Sequence, residues 1–172
     1  MTGSDVSESE VRRLSESGQL RRYRVLHFAT HGMVLPEAPE LSSLVLSHVA
    51  DPAAGAEGID GYLTMAEIAN LDIAADFVNL SACDTGLGRI YGGEGVVGLT
   101  QAFLVAGANS LSVSLWQVAD EATSRFMTGL YRLVEEEGLS HAEAMTAMKR
   151  RFLEEESTAR LFFWAPFVYY GA

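Results

Sequence analysis

Val25-Leu26-His27-Phe28-Ala29, running straight into Thr30-His31-Gly32, is the stretch on which the fold of this chain turns. A short apolar run, stopped by small and polar residues, suits a strand buried on both faces of a parallel sheet. Phe77 to Ala82 repeats the pattern and ends in Cys83-Asp84-Thr85-Gly86. A third strand is predicted where Leu111, Val113 and Leu115 alternate with Ser112 and Ser114 before Trp116, and the aromatic-rich tail Phe162 to Tyr170 predicts a last one.

Helical signals fill the spaces between these runs. Ser7 to Ser17 carries Val11 and Leu14 among Glu, Arg and Ser, with Gly18 beyond, and reads as a solvated amphipathic helix closed by a glycine. Thr64-Met65-Ala66-Glu67 has the spacing of a capping box opening a short helix to about Leu71. Six of the sixteen glycines fall between Gly86 and Gly98, ahead of an apolar helix that ends near Gly107. Asp120 is expected to cap a helix with the apolar face Ala122, Phe126, Leu130 and Leu133, closed by Gly138. Ser140 with Glu143 opens another, facing inward through Met145, Met148 and Phe152.

Residues 33–61 read as the longest loop-like region, with a short strand at Leu44 to Leu46. Long ordered loops often carry function. Strands alternating with helices predict an open α/β sandwich with a mostly parallel sheet, whose sites form beyond the carboxyl ends of the strands.

Composition narrows the function classes. The 172 residues hold 23 acidic and 12 basic side chains, 48% hydrophobic residues and one cysteine. A single soluble domain over 1–172 is expected, long enough to bury a core. One thiol excludes a disulfide scaffold or a Cys-rich zinc site. The net charge is −11, and after residue 24 only 7 basic groups face 19 acidic ones. Nucleic acid is not an expected partner, because phosphate contacts need a dense cationic patch. The opening ten residues lack an apolar signal core and no stretch approaches the length of a membrane span, so a cytoplasmic protein without membrane association is expected.

Two reactive side chains sit at predicted strand ends, His31 after the first and Cys83 after the second. A thiol attacks as thiolate, and a neighbouring imidazole can take its proton and later deliver it to a leaving amine. Neighbouring strands would bring both to one edge of the sheet. Gly32 leaves its backbone N–H open to a substrate. With the N–H of Cys83 it can form a two-donor oxyanion hole, a device worth about 3–4 kcal/mol per donor. The plainer readings are a small buried hydrophobe for Cys83 and a hydrogen-bonded strand-closing residue for His31. His27 lies within a strand, while His48 and His141 read as solvent-facing.

At these residues the sequence resembles the CHAT domain family. Leu26-His27-Phe28-Ala29-Thr30-His31-Gly32 carries the likeness first, then Asp60-Gly61-Tyr62-Leu63-Thr64 with Glu67-Ile68, then Leu80-Ser81-Ala82-Cys83-Asp84-Thr85-Gly86-Leu87-Gly88. It continues through Gly93-Glu94-Gly95-Val96, Ala102-Phe103-Leu104, Ala106-Gly107-Ala108, Ser114-Leu115-Trp116 and Asp120 to Trp164-Ala165-Pro166-Phe167. The His-to-Cys separation of 52 residues is similar to that of caspases.

What the resemblance implies is a caspase-like three-layer α/β sandwich. It also implies a cysteine peptidase of the caspase and separase class, with His31 and Cys83 as the catalytic dyad and the Gly32 and Cys83 amides holding the oxyanion. No cofactor is expected, the partner being a protein or peptide substrate, with a regulatory protein as a further possible partner. In caspase-like peptidases the residue two before the nucleophile helps line the specificity pocket; here it is Ser81. The strand ending at Trp116 resembles the one on which a substrate peptide lies, and Asp84, Glu94 and Asp120 would make the pocket mouth acidic and favour a basic residue before the cut. The family's domain usually begins further upstream, with at least one more strand, so the chain is expected to be the carboxyl-terminal part of a longer domain or a shortened member.

Rival chemistries fit less well. Gly86-x-Gly88-x-x-x-Gly92-Gly93 misses the dinucleotide fingerprint by one residue and lacks the Gly-Lys-Ser/Thr of a P-loop. Asp84-Thr85-Gly86 spells the aspartic-peptidase triplet once, without the second carboxylate that chemistry needs. His and acidic residues stand at no metal-ligand spacing. A noncatalytic interaction module that keeps the fold and binds a partner is the alternative to a peptidase.

Overall fold

The computed structural model of the chain describes residues 6–35, 37–48, 53, 55, 58–81 and 94–171. Helix α1 (Glu8–Glu16) precedes strand β1 (Val25–Phe28). A small antiparallel sheet follows, built of β2 (His31–Met33), β3 (Ser43–Val45) and β4 (Tyr62–Thr64) in that order. Helix α2 (Met65–Ala69), β5 (Phe77–Leu80), α3 (Glu94–Val105) and β6 (Ser110–Ser114) come next. The chain then runs through α4 (Asp120–Glu137), α5 (His141–Glu154), the single turn α6 (Leu161–Trp164) and β7 (Phe167–Gly171).

The main sheet has the order β1-β5-β6-β7, with β1, β5 and β6 parallel and β7 antiparallel to β6. Alternate residues of each strand face opposite layers, as the period of two requires. Leu26, Val78, Leu80, Leu111 and Val113 pack with Leu99 and Phe103 of α3 on one side. On the other, Phe77, Phe167 and Tyr169 pack with Phe126 and Leu130 of α4 and Met145 and Met148 of α5. Helices on both faces of a mostly parallel sheet make a caspase-like three-layer α/β arrangement.

Several local expectations hold. Ser7 caps α1 by accepting from the Glu10 N–H, and both capping boxes, Thr64 with Glu67 and Ser140 with Glu143, are closed. Gly138 ends α4 in the left-handed region at φ 68°. Gly107 follows α3 at φ +109°, and a Cβ there would stand 2.1 Å from the Ile73 carbonyl oxygen. Gly107→Ala is therefore expected to destabilise the fold by about 1–3 kcal/mol, read from the midpoint of urea unfolding.

Other expectations are corrected. β1 is not buried on both faces: among the described residues it pairs only with β5, so Val25 and Leu26 are half-buried and His27 is exposed. His31 does not follow a terminated strand into a loop but begins β2, paired opposite Val45, with the Thr30 hydroxyl tied to the Val45 carbonyl. Among the described residues of 33–61, β3 stands at Ser43–Val45, one residue earlier than the strand expected at Leu44 to Leu46.

Helix α1 is not merely solvated. Glu8 is fully buried and accepts from the N–H groups of Asp60 at 3.0 Å and Gly61 at 2.9 Å. Ala119, rather than Asp120, occupies the cap of α4, so Asp120 lies in the first turn. Phe162 belongs to α6 instead of a strand, because Pro166 delays the extended segment until Phe167. His141 is half-buried and stacks on Phe77 at 4.3 Å, instead of facing solvent.

Candidate active site

β1 and β5 leave the sheet side by side, held past their ends by the Ser81 N–H donating to the Phe28 carbonyl at 3.1 Å. Beyond those ends, at the carboxyl edge of the parallel strands, lies a cleft of about 400 Å³. His27, Thr30 and His31 come to it from the first strand and its extension, Ser81 from β5, Ser114 from β6, and Asp120 from the start of α4. This is the edge at which open α/β sheets form sites. His27, Thr30 and His31 also border a larger apolar groove of about 780 Å³ lined by Leu14 and Leu20.

His31 is exposed, with its backbone fixed by pairing to β3, so the imidazole is free to meet a group entering the cleft. Gly32 is buried in the same strand opposite Leu44. Cys83 and Asp84 lie outside the described residues, as does the side chain of Glu94. Trp116 is half-buried and donates its indole N–H to the Phe162 carbonyl at 3.0 Å; it is not on the wall of the cleft, where its neighbours Gln117 and Val118 stand instead. Asp120 is exposed in the first turn of α4, where the positive end of the helix favours a carboxylate.

Sequence reasoning missed His27. Its Nε2 lies 2.7 Å from Ser81 Oγ and 3.0 Å from Asn79 Nδ2, and its Nδ1 lies 3.1 Å from Tyr131 Oη. Protein packed round the ring pushes its pKa below the ordinary imidazole value, although one face stays open to solvent. Tyr131, on α4 above it, is pushed up to about 12 by burial. A signal was present: the fully buried strand Phe77-Val78-Asn79-Leu80 puts a polar amide where an aliphatic side chain is expected, in register with His27.

Among the described residues no group of three or more His, Cys, Asp or Glu side chains is placed to hold a metal. Nor is any described helix long and apolar enough to cross a membrane.

The family model described as CHAT domain matches residues 1–172. The chain belongs to the CHAT domain family. That family is related to caspase-like peptidases, and the mostly parallel sheet flanked by helices is compatible with a caspase-like sandwich. The chain is also similar to tetratricopeptide repeat protein 28 of Mus musculus, 38% identical over 69 residues. That match covers 40% of this chain and 3% of the mouse protein.

Proposed function

We propose that this CHAT domain is a cysteine endopeptidase that cleaves protein substrates. The observation that carries the reading is the parallel pairing of β1 with β5, which opens the His31 and Ser81 positions onto one cleft. Cys83 follows Ser81 by two residues, a covalent reach of at most about 7 Å. The cleft is open, as an extended peptide requires.

In the proposed cycle the Cys83 thiolate attacks the scissile carbonyl and forms the C–S bond, while the Gly32 and Cys83 amides stabilise the oxyanion. His31, holding the thiol proton, delivers it to the leaving nitrogen as the C–N bond breaks. It then takes a proton from water, whose oxygen attacks the thioester; the C–S bond breaks, the acid leaves, and Cys83 is restored as thiolate beside protonated His31. Extended substrate would run past Gln117 and Val118, which stand on the cleft wall. A regulatory protein partner and a cytoplasmic setting are part of the same proposal.

The test is alkylation of Cys83 by iodoacetamide. Rapid labelling in the wild type that slows in His31→Ala is expected. Slow labelling that ignores the substitution would contradict the dyad and favour a noncatalytic module that binds a protein partner.

A further inference from the structure

Across the main sheet His27, Asn79 and Ser112 occupy facing positions on β1, β5 and β6. Asn79 and Ser112 are fully buried, in register with each other beneath α4. A buried polar row of this kind adds little stability over an apolar one, but it fixes the orientation of its members.

The direction of the row follows from its chemistry. The Ser112 hydroxyl donates to Asn79 Oδ1, so Asn79 turns its amide N–H toward His27. An N–H donor facing Nε2 requires a lone pair there, and the network thereby assigns a neutral ring with its proton on Nδ1, directed at Tyr131 Oη. The short contact between Nε2 and Ser81 Oγ must then be a hydrogen bond donated by Ser81.

The Thr30 hydroxyl donates to the Val45 carbonyl. A hydroxyl whose proton is engaged offers an incoming group its oxygen lone pairs. Asp120 contributes the only carboxylate among the described residues that line the cleft. The Thr30 and Asp120 oxygens of this wall thus ask for a donor.

Resting on the peptidase reading, we infer that His27 is a positioning residue which, by taking the Ser81 proton, makes the cleft select a substrate side chain carrying N–H donors, above all a cationic one. With the reacting carbonyl beside His31, the side chain that enters is that of the residue before the scissile bond.

Matched acyloxymethyl ketone peptides carrying Lys, norleucine or Glu next to the electrophile test this. The wild type should label fastest with Lys, by about tenfold over norleucine, as one charge-assisted hydrogen bond gives. His27→Leu should shrink that ratio several-fold. His27→Gln, whose Oε1 still accepts from Ser81, should restore it. A ratio unmoved by His27→Leu, an equal loss on both reagents, or a wild type that prefers norleucine or Glu would overturn the inference.

Calorimetric binding of the matching Lys and norleucine peptide amides to Cys83→Ala protein asks the same question without catalysis. There, equal affinity or no binding overturns the inference, whatever iodoacetamide says of the dyad. Nitrogen-15 spectra of His27 should show a neutral Nδ1–H ring; the Nε2–H tautomer would contradict the proton assignment.

Discussion

His31→Ala is expected to slow hydrolysis of a peptide substrate by about 10²–10⁴-fold, the range over which a positioned acid–base residue contributes. The effect should fall on kcat, because the proton is moved while bonds form and break and not while the substrate binds. The fold should survive, since the His31 side chain is exposed and β2 is held to β3 through its backbone and through Thr30. An unfolding midpoint close to the wild type's, measured beside kcat, separates lost chemistry from lost structure.

His27 cannot stand in as the base. Its Nε2 is engaged by Ser81 and Asn79, and burial lowers its pKa. A His31→Ala variant that keeps wild-type kcat would contradict the role assigned to His31.

Glu8→Ala is expected to produce the largest loss of stability, about 3–5 kcal/mol, as when one partner of a buried ion pair is removed. Glu8 is wholly inaccessible, lies 2.5 Å from Arg12, and accepts two backbone N–H groups at the entrance to β4. Arg12 in turn reaches Glu67 at 2.5 Å and the Gly58 carbonyl at 2.6 Å. This knot fastens α1 and α2 to the turn that leads into β4.

Removing the carboxylate strands the Asp60 and Gly61 donors and leaves a methyl-sized side chain in a space shaped for five heavy atoms. The melting temperature should fall by roughly 6–20 °C. Because β4 and β3 support β2, peptide turnover should decline at temperatures below the midpoint. Glu8→Gln, which keeps an acceptor for the two N–H groups, should lose less. A melting temperature unchanged in Glu8→Ala would show that α1 is not structurally coupled to the small sheet.

The main layers were legible in the sequence because their signals are local. Apolar runs stopped by Thr30-His31-Gly32 and by Cys83-Asp84-Thr85-Gly86 gave β1 and β5 to within one or two residues, and S/T-x-x-E spacings marked α2 and α5. What escaped depends on pairing between distant segments. His31-Gly32-Met33 has no strand signal of its own and becomes extended only against Ser43–Val45. The burial of Glu8 depends on backbone donors more than fifty residues away.

At the candidate site, the placement of His31 and Ser81 on one cleft follows from the expectation that consecutive strands are neighbours. The part played by His27 was missed because its one signal, the amide of Asn79 in an apolar strand, stands on a segment 52 residues away. Only the register opposite Asn79 and the approach of Tyr131 give it a fixed proton arrangement.

The most direct measurement of the central claim is a crystal structure of the protein with a peptidyl aldehyde bound to Cys83. The account predicts the thiohemiacetal sulfur in the cleft bordered by Ser81, with the His31 ring at hydrogen-bonding reach, about 2.6–3.2 Å from sulfur or oxygen. The side chain next to the aldehyde should point at Ser81 and Asp120. A sulfur on another surface, with the His31 imidazole turned away from it, would contradict the account.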